Sequence, residues 1–268
     1  PHLPEEFKKE LREELGGTRL GRQELEGEEL TDVEGALWTL DRIDRRRIIE
    51  ADLQDRKPQE PDETREQWLT RVLGLTDVVI GVDPATSGRG DETGIVVVGF
   101  RRQRNQRIMF VLEDLTRLAK PSEWRPVIVD AAERWGTRRV VAERNRLGET
   151  VELVIQDATS TKLRIESVNA GSGQGKAMRA DPLESVRNQR CWIVGHCPKL
   201  EHQMTNWVPS EGDSPDAAPV DGTGIDKSRG SPDALDAMVW AAVSGLGLRI
   251  GPRPATGSLL DAYTQTWN

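Results

Sequence analysis

The sequence has few cysteines and no long apolar run, and each absence narrows the class of protein. Two cysteines in 268 residues give no disulfide framework and are typical of a reducing compartment. The longest uncharged stretch near the C-terminus, residues 237–248, is shorter than the ~20 residues that a transmembrane helix needs. No basic-then-apolar signal segment opens the sequence. We therefore expect a soluble intracellular protein.

The chain also lacks net positive charge. A formal net charge of −8 argues against a protein that coats nucleic acid with a uniformly basic surface. It does not exclude nucleic acid, because an enzyme that holds metal ions with carboxylates concentrates acid at its centre and keeps basic residues local to its substrate. Local basic clusters occur within residues 42–47, within residues 101–107, and at Lys176 with Arg179.

Composition changes along the chain and predicts its organisation. At roughly 150 residues per domain, the length suggests one large domain or one domain with an appendage. Residues 1–73 are rich in Glu, Arg and Leu and predict helix and loop, without a strong strand run. We expect them to form a helical linker or remnant that precedes the main domain, residues 74–250, with residues 251–268 as a tail.

The main domain begins with three β-branched runs at hairpin spacing, which predict an antiparallel start to a sheet. Its order of strands and helices is typical of an α/β or α+β layer fold with a mixed sheet. Residues 170–176 and 209–230 read as loops. The predicted elements are strands at Val78–Val82, Ile95–Val98, Ile108–Leu112, Val140–Ala142, Leu163–Val168 and Cys191–Val194, and helices at Pro121–Trp135, Thr150–Gln156, Met178–Asn188 and Pro232 to about Ser244.

Acidic residues stand where three of these elements begin or end. Asp83 ends the first predicted strand, Glu143 ends the fourth, and Asp233 and Asp236 lie in the first turns of the last helix. Converging carboxylates repel unless divalent cations neutralise them, and hard oxygen ligands favour Mg²⁺ or Mn²⁺ over zinc. Two such ions ~4 Å apart can activate water and stabilise the leaving oxygen of a phosphodiester.

Each acid also has a simpler interpretation. Asp83 precedes a proline and is compatible with a turn, while Glu143 alone reads as a solvated residue at a strand end. Asp233 suits the positive end of a helix dipole. Asp236 is harder to explain in this way, because it lies on the same face as Asp233 in an otherwise apolar helix. Asp91 is better interpreted as hairpin-turn chemistry than as a ligand.

The acids lie within three longer motifs: Gly81–Ala85 with Gly90–Ile95, Val141–Asn145 and Ser231–Trp240. Together these motifs resemble the C-terminal nuclease domain of the large terminase subunit of tailed bacteriophages and related gene-transfer agents. A further segment, residues 16–28, is similar to the link between that family's packaging ATPase and its nuclease.

The resemblance implies a ribonuclease H-like fold and a metal-dependent endonuclease that cuts double-stranded DNA with two Mg²⁺ or Mn²⁺ ions during genome packaging. The family's first metal-binding aspartate maps to Asp83 and its strand-end acid to Glu143. The third acid maps to Asp233 or Asp236. Many relatives have His-Asp-Asp where this chain has Ser231, Pro232 and Asp233, so the choice between the two aspartates stays open.

The resemblance also implies partners and a location. They are a packaging ATPase domain, absent from this chain, the portal protein and the small terminase subunit, in the cytoplasm of the bacterial host and transiently at the procapsid portal. The glycine-rich stretch ending at Lys176 resembles a phosphate-binding loop but has Ala170 in place of its first glycine and Ala177 in place of Ser or Thr. We therefore expect no ATPase activity from this chain alone.

Basic residues are candidates for contact with DNA phosphate: Arg101, Arg102 and Arg104 at the predicted hairpin tip, and Lys176 and Arg179 after the glycine-rich loop. Solvated charge on a hairpin or loop is the alternative for each. Cys191 and Cys197, with two nearby histidines, fit no zinc signature and are interpreted as core residues.

Two other functions remain open. One is a Holliday-junction resolvase or transposase-like enzyme of the same fold, and the other is a noncatalytic module that docks on a portal.

Overall fold

The computed structural model describes residues 36, 38–85, 92–104, 106–143, 163–168, 191–207 and 232–248. These residues form helices and strands in the order α1 (Leu40–Asp44), β1 (Arg47–Ile48), α2 (Glu50–Arg56), α3 (Arg65–Leu73), β2 (Asp77–Asp83), β3 (Gly94–Gln103), β4 (Gln106–Asp114), α4 (Pro121–Arg134), β5 (Arg139–Glu143), β6 (Arg164–Val168), β7 (Cys191–Val194), α5 (Pro198–Asn206) and α6 (Asp233–Leu246).

The seven strands form one mixed sheet in the order β1-β7-β4-β3-β2-β5-β6. Strand β3 is antiparallel to both β2 and β4, as the hairpin spacing predicts. The pairs β2/β5, β5/β6, β4/β7 and β1/β7 are parallel. The predicted mixed sheet is therefore confirmed, with its antiparallel part at the centre.

Helices cover both faces of the sheet, which explains the uninterrupted apolar runs of the central strands. In β2, Val79 packs into the core beneath α6, whereas Ile80 and Val82 pack into the core beneath α3 and α4. On that second face, Trp124 and Ile128 of α4 are fully buried. Because successive side chains of a strand point to opposite faces, one apolar run contributes to the cores on both faces of the sheet.

Residues at both ends of α3, the helix that precedes β2, define where this helix begins and ends. Thr64 and Gln67 form a capping box at the start of α3, each side chain bonding the other's backbone N–H. Gly74 ends the helix in the left-handed conformation, with φ of 64°, and the chain enters β2 within three residues.

Helix α6 is buried almost all round because it lies directly against β2 and β3 at two glycines. A Cβ atom at Gly81 would overlap the carbonyl oxygen of Ala237, and one at Gly94 would overlap that of Asp233. Near the other end of the helix, a Cβ atom at Gly245 would overlap the Phe100 ring. The absence of these side chains sets the height and register of α6 on the sheet.

Two elements of the structure, β1 and α5, were not predicted from the sequence. Strand β1 has only two residues, too short for any periodicity, yet it pairs with β7 and extends the sheet. Helix α5 is nine residues long, and its apolar face is reduced to Leu200 and Met204. A buried ion pair joins β1 to α5: Arg47 Nη1 lies 2.7 Å from Glu201 Oε1.

Several sequence predictions lie outside the described residues: the helices at 150–156 and 178–188, the loops at 170–176 and 209–230, residues 1–35 and the tail at 251–268. In the part of the chain that is described, no helix combines the length and apolarity required to span a bilayer.

Candidate active site

Two of the predicted acids leave neighbouring strands at one edge of the sheet. Asp83 is the last residue of β2 and Glu143 the last of β5. The two strands run parallel, with Val82 opposite Ala142, and paired strands are about 4.8 Å apart. The carboxyl groups therefore emerge side by side, as their positions at strand ends predict.

The other two acids arrive from the first turn of α6. Asp233 and Asp236 are 6% and 2% exposed, low values for charged residues. The close approach at Gly94 brings this turn to the strand end, because Gly94 is the β3 partner of Asp83. Asp233 Oδ2 accepts a hydrogen bond from the Glu92 backbone N–H at 3.1 Å.

The pKa of Asp83 reflects the proximity of the other three acids. Its pKa is raised well above the ordinary value, first by burial and then by the negative charges of Asp236, Glu143 and Asp233. A hydrogen bond to the Glu143 carboxyl also favours the protonated form. All four predicted acids therefore interact, across about 150 residues of sequence.

Such a donor set fits a hard divalent cation. The donors are carboxylate oxygens, and their mutual repulsion is what a cation with charge 2+ relieves. Over the ranges that the structure describes, no three His, Cys, Asp or Glu side chains already stand in cation-coordinating geometry.

The basic residues predicted at the β3–β4 hairpin lie at the other end of the sheet. Strand β3 begins at Gly94 beside the acids and ends at Gln103, so Arg102 and Arg104 are separated from the acids by nearly the whole strand, at about 3.3 Å per residue. Arg101 donates to the Leu73 carbonyl and its guanidinium lies 5.3 Å from the Phe110 ring centre. Lys176 and Arg179 fall outside the described residues.

Three residues near the acids were not singled out for this role from the sequence. Lys199 Nζ contacts Glu92 Oε1 at 2.5 Å, and Gln203 Oε1 accepts a hydrogen bond from the Leu235 backbone N–H at 2.9 Å. Neither α5 residue belongs to a motif, and the spacing of four between them becomes informative only once α5 is known to face the acids.

The cysteines are core residues, as predicted. Cys191 and Cys197 are buried and form no disulfide. Burial raises the pKa of the Cys191 thiol to about 12 and that of Cys197 above its ordinary value. Both thiols are therefore protonated at neutral pH, and neither contributes to the acidic site.

A mixed sheet with an antiparallel centre, acids at the ends of β2 and β5, and an acidic helix across them define a ribonuclease H-like domain. The family model described as the terminase RNaseH-like domain matches residues 80–244, more than half of the chain. The chain belongs to that family, which confirms the predicted family and fold.

Comparison with solved structures gives remote matches. The nuclease domain of the large terminase subunit gp2 of bacterial virus Sf6 is 13% identical, with a TM-score of 0.42, over 65% of this chain and 92% of that one. The large terminase nuclease domain of bacteriophage SPP1 with bound Mn is 13% identical, with a TM-score of 0.41, over 75% and 97%. Thermus thermophilus RuvC is 14% identical, with a TM-score of 0.38, over 65% and 97%. No curated protein matches in a sequence search.

Proposed function

We propose that this chain is the endonuclease domain of a viral DNA-packaging terminase large subunit and hydrolyses double-stranded DNA with two Mg²⁺ or Mn²⁺ ions. The observation that carries the proposal is the convergence of three other acids on Asp83, in a chain of the terminase RNaseH-like family. The net charge of −8 is compatible with this, because the acid is concentrated where cations bind.

Asp83 is the proposed centre of the site, because it interacts with each of the other three acids of the site. Asp83, Glu143 and one aspartate of α6 would hold the cations, which supply charge that activates water and stabilises the leaving oxygen of a phosphodiester. The strand ends and the buried first turn of α6 hold these carboxylates on fixed backbone elements, which limits the reorganisation that cation binding requires.

Asp236 is the proposed third ligand. Its charge raises the pKa of Asp83 more than that of either Glu143 or Asp233 does. One carboxylate oxygen of Asp233 accepts the Glu92 N–H, so this residue also holds the chain just before β3.

The family supports proposals for partners as well. A packaging ATPase domain, a portal protein and a small terminase subunit are the assemblies in which a terminase nuclease would act, in the cytoplasm of the bacterial host and at the procapsid portal. The arginines at residues 101, 102 and 104, Lys176 and Arg179 remain proposed contacts for DNA phosphate.

The direct test is cleavage of plasmid DNA with Mn²⁺ by the wild-type chain, Asp83→Asn and Asp55→Asn. Asp83→Asn keeps the side-chain volume but removes a negative ligand, and we expect cleavage to fall more than about 100-fold, the upper range for loss of a supporting group. Asp55 is exposed on α2 and serves as the control, with unchanged cleavage.

Three results would contradict the proposal. Mn²⁺-dependent cleavage by purified Asp83→Asn at the wild-type rate would exclude the acids as the catalytic centre. Absence of Mn²⁺ or Mg²⁺ binding by calorimetry would favour a noncatalytic docking module. Faster cleavage of four-way junctions than of linear duplex would instead indicate a resolvase.

A further inference from the structure

Helix α5 directs two side chains towards the backbone that carries the acids. Lys199 and Gln203 are four residues apart and therefore share one face of the helix. We propose that both are positioning residues: Gln203 holds the first turn of α6, and Lys199 holds the segment that hydrogen-bonds Asp233. The inference rests on the proposed function and assigns α5 a role in cation binding.

Gln203 replaces a missing helix cap. The residue before α6 is Pro232, whose side chain makes no cap hydrogen bond, so the first N–H groups of the helix need acceptors from elsewhere. Gln203 Oε1 accepts from the Leu235 N–H at 2.9 Å, although α5 and α6 are far apart in sequence. Leu235 lies between Asp233 and Asp236, so this bond fixes the turn on which both acids stand.

The neutral amide suits this position. A glutamate would also accept from a helix N-terminus and would favour the helix dipole. It would, however, add another negative charge at the turn that carries Asp233 and Asp236. Glutamine therefore supplies the acceptor without adding to the repulsion.

Lys199 contacts the residue whose backbone N–H bonds Asp233. Its Nζ lies 2.5 Å from Glu92 Oε1 and 3.3 Å from the Thr116 carbonyl oxygen. The Glu92 backbone N–H donates to Asp233 Oδ2 at 3.1 Å. Lys199 is about half exposed, and exposed ion pairs contribute little to stability, so we assign the pair a role in placing Glu92 rather than in holding the fold.

The Gln203 test compares Gln203→Leu, which keeps the size and loses the acceptor, with Gln203→Glu, which retains an acceptor. His202→Ala, exposed on the same helix, is the control. Hydrogen exchange of the Leu235 amide is followed by NMR in the metal-free protein, and Mn²⁺ affinity by calorimetry. We expect faster exchange and roughly 10-fold weaker Mn²⁺ binding for Gln203→Leu. Gln203→Glu and His202→Ala should keep the slow exchange.

The Lys199 test compares Lys199→Met with Lys199→Arg. Methionine preserves the aliphatic length and removes the charge, whereas arginine can still bind the Glu92 carboxylate. We expect weaker Mn²⁺ binding for Lys199→Met, recovery with Lys199→Arg, and unfolding midpoints in urea close to the wild-type value for both.

The outcomes separate this inference from the proposed function. Unchanged Mn²⁺ affinity in Gln203→Leu and Lys199→Met, in a wild-type chain that does bind Mn²⁺, would overturn the inference alone. Absence of Mn²⁺ binding by the wild-type chain would overturn the proposed function, and the Leu235 amide, whose exchange needs no cation, would still decide whether Gln203 holds the turn. If Gln203→Leu does not fold, Gln203→Asn provides the same test, because its amide is one methylene too short to reach.

Discussion

Asp83 is the residue on which the other three acids of the candidate site converge. Its neighbours are Glu143 on one side and the acidic turn of α6 on the other, and burial strengthens each repulsion. The sequence identifies all four acids because each stands at the end of a recognisable element. It does not distinguish Asp233 from Asp236, because the Glu92 N–H that donates to Asp233 belongs to another part of the chain.

The raised pKa of Asp83 predicts how stability depends on pH without metal. A carboxyl whose folded pKa is raised contributes stability that is complete below its ordinary pKa and is lost as the pH rises through the raised value. We therefore expect Mn²⁺ to increase the melting temperature more at pH 8 than at pH 5. Scanning calorimetry measures this, and Asp83→Asn should show a smaller difference. An equal Mn²⁺ effect at both pH values in the wild type would contradict the prediction.

Replacing either aspartate of α6 should weaken Mn²⁺ binding, but to different extents. Asp236→Asn is expected to weaken Mn²⁺ binding more than about 100-fold, as loss of a direct ligand, and Asp233→Asn by roughly 10-fold, as loss of a supporting group. Calorimetric titration with Mn²⁺ distinguishes them. The reverse order would assign the ligand to Asp233.

At the scale of elements, the sequence predicts a strand or helix best when its apolar pattern is long. Strands β2, β3 and β4 and helix α6 are long or strongly apolar, so their patterns alone reveal them. Strand β1 and helix α5 are stabilised by tertiary contacts, such as the Arg47–Glu201 pair, which local sequence does not encode. The residues that support the acids lie on α5, so this part of the site was not foreseen.

Helix α6 should respond differently to the same substitution near its two ends. Gly94→Ala places a methyl group against the Asp233 carbonyl, and Gly245→Ala places one against the Phe100 ring. Each should cost about 1–3 kcal/mol through overpacking, measurable by urea unfolding. Only Gly94→Ala displaces the acidic turn, so only this variant should lose Mn²⁺ affinity at a temperature where both are folded. Equal loss of affinity in both variants would contradict this account.

At the scale of the whole molecule, part of the predicted linker belongs to the two cores. Trp38 and Ile43 are buried against the α6 side of the sheet, and Trp68 and Leu69 against the α3 and α4 side. The composition of residues 1–73 suggests helix and loop but gives no measure of this burial, because their apolar residues are widely spaced among charges. The domain boundary proposed at residue 73 is therefore the sequence prediction most in need of an experiment.

Removing residues 1–73 should prevent cooperative folding. Glu201 would remain buried without Arg47, a loss that typically costs about 3–5 kcal/mol. The sheet would also lose β1 and the buried side chains of α1 and α3, and a typical domain is stable by only about 5–15 kcal/mol. A chain of residues 36–268, which keeps every one of these contacts, is the control and should unfold in one cooperative urea transition, whose midpoint is the reference. A cooperative transition of residues 74–268 at that midpoint would show that the nuclease begins at residue 74 and that residues 38–73 only cover it.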